Sequence, residues 1–154
     1  MYYNLIETVY INVVNHMNSP IKVLQFGEGN FLRAFADYMI DEANEKGIFC
    51  GSVAIVKAIP FGSLKSFEEQ NNQYTLITRG ILNGEVINKS KKIRSISDTA
   101  CSYENYEKFI SFAKMDELKV IISNTTEAGI VYGPDDQLND CPPKEYPSKL
   151  TTLS

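Results

Sequence analysis

Two glycines separated by a single residue, Gly27 and Gly29, are the residues of this sequence best suited to holding an anion. Glycine tolerates positive φ and lets the backbone come close to a ligand. An amphipathic segment begins directly after them, at Phe31. Because the free N–H groups and the dipole at the start of a helix favour negative charge, this order of residues predicts a site for an anion such as a pyrophosphate.

The spacing of these glycines leaves a second interpretation open. A complete G-x-G-x-x-G fingerprint needs a glycine at position 32, where this sequence has Leu32. A shorter G-x-G is also typical of ordinary tight turns. From the spacing alone, a tight turn without a ligand is therefore an equal alternative.

A second group of polar side chains follows a later apolar run, residues 118–123. Asn124, Thr125, Thr126 and Glu127 are an amide, two hydroxyls and a carboxylate in succession. Ligands of open α/β sheets bind outside the carboxyl ends of the strands. These side chains are suited to bonding a cofactor ribose and a hydroxylated substrate, and a polar loop that only caps the sheet is the alternative.

The elements that must position both groups follow from the hydrophobic pattern. Residues 23–26, 52–59 and 118–123 predict buried strands of a parallel sheet. A helix is expected from Phe31 to a C-terminal glycine at Gly47. Its buried face is predicted from apolar residues at three- and four-residue spacing: Phe31, Leu32, Phe35, Ala36, Met39, Ile40 and Ala43. A second helix is predicted over residues 102–115, with Ser102 as its N-cap.

Asn83-Gly84 is a strong hairpin signal between residues 74–79 and residues 85–88. With a further strand over residues 91–96, these segments predict a small antiparallel insert. The fold class expected is therefore α/β, with a doubly wound, mainly parallel sheet and an antiparallel hairpin insert. The basic residues of the insert are expected to form a solvated face, with a phosphate or acid-sugar contact as the alternative: Lys89, Lys91, Lys92 and Arg94.

The end of the predicted second strand lacks an acid. Dinucleotide folds usually carry an Asp or Glu there, which accepts from the adenosine ribose. This chain has Lys57 near that point and no acid before Glu68. We expect Lys57 to be a solvated strand-end lysine, with a contact to a 2′-phosphate as the alternative, so the choice between NAD and NADP stays open.

Composition excludes several classes. A net charge of −4 at pH 7 gives no electrostatic footprint for nucleic acid, and no apolar run is long enough for a membrane helix. The three cysteines are far apart and His16 is the only histidine, so neither a metal site nor a disulfide framework is expected. These observations predict reduced thiols and a cytoplasmic location.

The amino-acid sequence of the glycine turn resembles that of a known family. Residues 26–34, F-G-E-G-N-F-L-R-A, resemble the nucleotide-binding turn of the mannitol dehydrogenase family of polyol-specific long-chain dehydrogenases, which has G-x-G-x-F-x-R-A there. Residues 73–76, 79–80, 93–95 and 146–151 are also similar to that family. The most specific match is S-N-T-T-E-A-G-I at residues 123–130. The resemblance covers roughly residues 22–152.

The resemblance implies a Rossmann-like dinucleotide-binding domain over residues 20–154, preceded by an N-terminal arm over residues 1–19. It implies NAD(H) as the cofactor. The cofactor-binding residues are expected in the glycine turn and in the polar loop that follows residue 123. They are Gln25, Phe26, Gly27, Glu28, Gly29, Asn30, Phe31, Leu32, Arg33, Asn124, Thr125, Thr126 and Glu127.

The activity implied is reversible hydride transfer to a small sugar acid, in which D-tagaturonate and NADH give D-altronate and NAD during hexuronate catabolism. In the family the proton donor is a lysine with Asn and His partners, located after this domain. No catalytic residue is therefore expected in this chain, which should bind cofactor without turnover. The alternatives are another mannitol- or fructuronate-type polyol dehydrogenase, a non-catalytic nucleotide-binding module and an S-adenosylmethionine-dependent methyltransferase-like domain. The oligomeric state stays open.

Overall fold

The computed structural model describes residues 19–153, and the predicted N-terminal arm, residues 1–19, lies outside the described residues except for Ser19. A four-stranded parallel sheet has the order β5-β2-β1-β6, and a separate two-stranded antiparallel sheet contains β3 and β4. The strands are β1 Ile21–Phe26, β2 Ser52–Lys57, β3 Tyr74–Leu82, β4 Glu85–Ile93, β5 Ile96–Cys101 and β6 Val120–Ser123. The helices are α1, continuous through Asn30–Leu32, Arg33–Asp37 and Tyr38–Glu45, then α2 Lys65–Glu69, α3 Tyr106–Ala113 and α4 Tyr146–Thr151.

The two central strands, β1 and β2, divide their side chains between two cores. Val23 and Ile55 face the side that contains α1 and α2, where Phe67 is buried against them. Leu24 and Val56 face the opposite side, which α3 and α4 cover. Both faces of the sheet are therefore covered by helices, and the predicted doubly wound α/β fold is confirmed.

Helix α1 begins and ends close to the predicted positions. Its predicted buried face is right at Leu32 and Ile40 but wrong at three aromatic and methionine positions. Phe31, Phe35 and Met39 are 60%, 52% and 51% exposed, whereas Asp37 and Asp41 are buried. The cause is the π-helical segment Arg33–Asp37 within the helix. An i→i+5 turn adds one residue to the helical period, so the inner side passes from Leu32 to Asp37 and then continues through Asp41 and Asn44.

The buried polar side chains of α1 bond to the backbone of the neighbouring elements. Asp41 Oδ1 accepts from the Arg94 N–H at 2.8 Å. The Asn44 side chain donates to the Gly51 carbonyl at 2.7 Å and accepts from the Gly51 N–H at 3.1 Å. Hydrogen bonding of this kind compensates the desolvation of buried polar groups, which explains why α1 packs on the sheet through a polar side.

The hairpin is present, with Asn83 and Gly84 at φ +53° and +84° in its turn. The predicted third antiparallel strand over residues 91–96 is wrong, because β4 ends at Ile93 and the next strand, β5, pairs in parallel with β2.

The predicted solvated basic face is also wrong at Lys91, which contacts carboxylates of Asp41, Glu42 and Glu45 on α1. Although partial burial opposes it, hydrogen bonding to Glu42 and Glu45 raises the pKa of Lys91 above its ordinary range.

Three further details differ from the sequence predictions. The N-cap of α3 is Asn105, whose side chain accepts from the Lys108 N–H at 2.9 Å, while Ser102 is buried and bonds to the Lys57 carbonyl. β6 is parallel to β1, as predicted, but it lies at the sheet edge and is largely exposed. Helix α4 was not predicted.

Candidate functional site

The glycine turn lies at the carboxyl edge of the sheet, directly after β1. Gly27 has φ +105°, and its N–H donates to the Val56 carbonyl at 2.9 Å, which holds the turn against β2. Gly29 is the N-cap of α1, with φ −65° and ψ 155°. A Cβ added at either glycine would meet no atom within 4 Å. The turn and the start of α1 therefore border open space of the kind that a pyrophosphate would occupy.

A cavity of about 280 Å³ opens above this turn. Phe26, Gly27 and Glu28 line one side of it, and Asn124 and Thr125 after β6 line another. The glycine turn and the polar loop after β6, both predicted from the sequence, are therefore brought together at one edge of the sheet. This is the edge at which open α/β sheets bind ligands.

The other predicted residues do not line this cavity. Thr126 occupies the N-cap position of the short 3₁₀ turn Glu127–Gly129 without a side-chain hydrogen bond to it. The aromatic rings of Phe31 and Phe35 stack on the exposed side of α1, with their centroids 5.7 Å apart. Leu32 is buried. A direct contact of these residues with a ligand stays a prediction.

Three predicted residues support the start of α1 instead. Arg33 donates to the Asn30 side chain, and its guanidinium lies 5.4 Å from the ring centre of Phe67 and 5.5 Å from that of Tyr74. The Tyr74 hydroxyl donates to the Arg33 carbonyl at 2.6 Å. Gln25 is buried, and its Nε2 donates to the Gly27 carbonyl at 3.1 Å. These contacts fix the backbone of the turn.

A buried carboxyl group lies beneath the turn. Asp37 Oδ2 is 3.4 Å from Gln25 Nε2, so one amide connects the Gly27 carbonyl with this carboxyl group. Burial raises the pKa of Asp37 to about 7, although hydrogen bonding to Gln25 and the charge of Arg33 oppose the rise. Asp37 Oδ1 and Gln25 Oε1 accept no hydrogen bond from any described residue. The Asp37 carboxyl group therefore changes its protonation near neutral pH, and it is hydrogen-bonded to the Gln25 side chain that holds the turn.

Sequence reasoning missed the contribution of the segment around α4. Lys144, Glu145 and Lys149 also line the cavity. Lys149 is buried, and its Nζ donates to the Lys144 carbonyl at 2.5 Å and lies 5.1 Å from the ring centre of Tyr103. The family resemblance at residues 146–151 was the one sequence feature that pointed to this segment. The cavity lining thus contains two lysines together with two glutamates, Glu28 and Glu145.

The solvated position expected for Lys57 is wrong. Its side chain is only 3% exposed, and its Nζ lies 2.5 Å from Glu28 Oε1 in the glycine turn. The sequence contained this partner, but a contact across 29 residues cannot be read from local spacing. The end of β2 is therefore bound to the turn by an ion pair.

Within residues 19–153, no group of three or more His, Cys, Asp or Glu side chains is placed to hold a metal ion. The helices in the same described range are all too short or too polar to cross a bilayer.

Comparison with known proteins matches this chain to one family. The sequence model of the mannitol dehydrogenase Rossmann domain matches residues 21–154. Altronate oxidoreductase from Bacillus subtilis (strain 168) is 45% identical over 143 residues, which are 92% of this chain and 30% of that protein. Altronate oxidoreductase from Phocaeicola vulgatus is 42% identical over 134 residues, 87% of this chain and 28% of that protein. This chain thus spans about 30% of the length of these curated relatives.

Two solved structures share the fold. Pseudomonas fluorescens mannitol 2-dehydrogenase, in a ternary complex with NAD and D-mannitol, superposes with a TM-score of 0.66 at 20% identity, covering 74% of this chain and 23% of that one. A substrate-free D-sorbitol dehydrogenase gives a TM-score of 0.62 at 17% identity, covering 77% of this chain and 25% of that one. With the family match over residues 21–154, these findings show that the chain belongs to the mannitol dehydrogenase family and carries its Rossmann domain.

Proposed function

We propose that residues 20–154 form the NAD(H)-binding domain of an altronate oxidoreductase, an enzyme also called tagaturonate reductase. The observation that carries this proposal is the glycine turn, in which Gly27 and Glu28 share one cavity with Asn124 and Thr125. Gly29, at the start of α1, borders open space. The identity of 40–45% to altronate oxidoreductases supports the substrate class. A cytoplasmic location and a small sugar-acid substrate belong to the same proposal.

The residues of this chain bind and orient the cofactor. Helix N-termini favour anions, so the first N–H groups of α1 and the backbone at Gly29, which borders open space, would hold the pyrophosphate. Lys144 and Lys149 offer cationic groups at the cavity, and Asn124 and Thr125 offer an amide and a hydroxyl for a ribose. When bound, NADH supplies the hydride that converts D-tagaturonate to D-altronate in hexuronate catabolism.

The experiment that tests this function is a calorimetric titration of the 154-residue chain with NADH, NADPH and S-adenosylmethionine. We expect NADH to bind, NADPH to bind more weakly and S-adenosylmethionine not to bind. Binding of S-adenosylmethionine without NADH would replace the proposal by a methyltransferase-like module.

A parallel assay follows NADH absorbance with D-tagaturonate present. Because no catalytic residue is assigned in this chain, we expect binding without oxidation of NADH. Substrate-dependent oxidation by pure protein would contradict the assignment of catalysis to the rest of the longer relatives.

A further inference from the structure

The acid that nucleotide-binding sheets usually carry at the end of their second strand is missing here. The residues after β2 are Ala58, Ile59 and Pro60. A carboxylate from the glycine turn contacts this strand end, where Glu28 pairs with Lys57 at the last position of β2. The ion pair therefore brings an acid to the strand end from a different element.

We propose that Glu28 is the residue that distinguishes NADH from NADPH, and that Lys57 positions it. This inference rests on the proposed function and assigns its cofactor specificity. Glu28 lines the cavity together with Ala58 and Ile59, which follow β2 directly. An acid at this place accepts from the ribose hydroxyls of NADH and repels the 2′-phosphate of NADPH.

Lys57 forms an ion pair with Glu28 and is not placed to bind a phosphate itself. A Cβ added at Gly62 would lie 3.1 Å from Lys57 Nζ, so the chain after β2 covers the ammonium group closely. Gly62 has φ +81°, a conformation that favours glycine. The lysine is thus enclosed between the turn and the segment after β2.

Glu28 keeps one oxygen for a ligand. Its side chain is 29% exposed, and Lys57 contacts Oε1. No other described residue donates a hydrogen bond to this carboxylate. The second oxygen can therefore accept from a ribose hydroxyl while the first is held by the lysine.

The size of the preference follows from the charges. The 2′-phosphate carries between one and two negative charges at neutral pH, and Lys57 already compensates part of the Glu28 charge. Exposed charge interactions change affinity by up to about fivefold. We therefore expect a moderate preference for NADH, and not an absolute one.

The test is the ratio of the dissociation constants for NADPH and NADH in the parent chain and in Glu28→Gln. The amide keeps the length of the side chain and an acceptor for Lys57, so the fold should persist, which circular dichroism checks. We expect the ratio to move toward NADPH by about two- to fivefold. Glu69→Gln is the matched control, because it removes an exposed carboxylate outside the cavity and should leave the ratio unchanged.

The double variant Glu28→Gln/Lys57→Met removes the buried ammonium as well and should show the same shift, even if the single variant folds poorly. Equal weakening of both cofactors in both variants would overturn the inference and leave Glu28 a structural support. A parent chain that prefers NADPH would also overturn it, since Lys57 would then anchor the phosphate. A folded parent chain that binds neither cofactor would instead overturn the proposed function.

Discussion

Gly29→Val is expected to lower the affinity for NADH by about a hundredfold, or ~2.7 kcal/mol, while the domain stays folded. The backbone at Gly29 has φ −65° and ψ 155°, which valine adopts readily. A Cβ there meets no protein atom within 4 Å, so the added side chain enters only the open space that we propose for the pyrophosphate. Calorimetry with NADH measures the loss, and thermal unfolding checks the fold.

The matched control for this variant is Gly80→Val in the exposed hairpin. A Cβ at Gly80 also meets nothing within 4 Å, and Gly80 is remote from the cavity in the sheet topology. It should leave NADH affinity unchanged. Equal affinity of folded Gly29→Val and parent protein would show that no ligand lies over this turn.

Asp37→Asn is expected to change how the stability of the domain depends on pH. Burial raises the pKa of Asp37 from 3.8 to about 7 in the folded protein. The folded state therefore binds this proton more tightly than the unfolded state does. The resulting stabilisation is fully present below about pH 4 and is lost as pH rises through about 7, amounting to about 4 kcal/mol at most.

Urea unfolding of both proteins between pH 4.5 and 8 measures this effect. The groups that set the pKa of Asp37 are Gln25 on β1, Arg33 on α1 and Tyr74 on β3, and all of them remain in the variant. We expect the parent to lose stability relative to Asp37→Asn as pH rises. Asp116→Asn, at an exposed acid, should keep the parent slope. Parallel curves for parent and Asp37→Asn would show that the buried carboxyl group does not titrate in this range.

The parts of the fold that sequence predicted well are those fixed by local chemistry. Apolar runs gave β1 and β2, and Asn83-Gly84 gave the hairpin, because each depends on neighbouring residues alone. The inner side of α1 could not be predicted from a regular helical period, since the π turn between Leu32 and Asp37 shifts it by one position. The polar series Asp37, Asp41 and Asn44 at helical spacing was the only local sign of that shift.

The candidate site divides in the same way. The glycine turn and the loop at Asn124 and Thr125 were predicted from strand ends, and the cavity brings them together. The pairing of Glu28 with Lys57 and the approach of Lys149 to the cavity depend on contacts between distant segments. Such contacts follow from the order of strands in the sheet, which no single stretch of sequence specifies.

The measurement that tests the central claim most directly is the change in backbone amide resonances of the isotope-labelled 17.3 kDa chain when NADH is added. If the glycine turn is a dinucleotide site, the largest shifts should occur at Gly27, Gly29 and Asn30, with further shifts at Asn124 and Thr125. The resonance of Gly80 in the hairpin should stay unchanged. Unchanged resonances at the turn under excess NADH, or shifts confined to the hairpin, would contradict the assignment of this turn as the cofactor site.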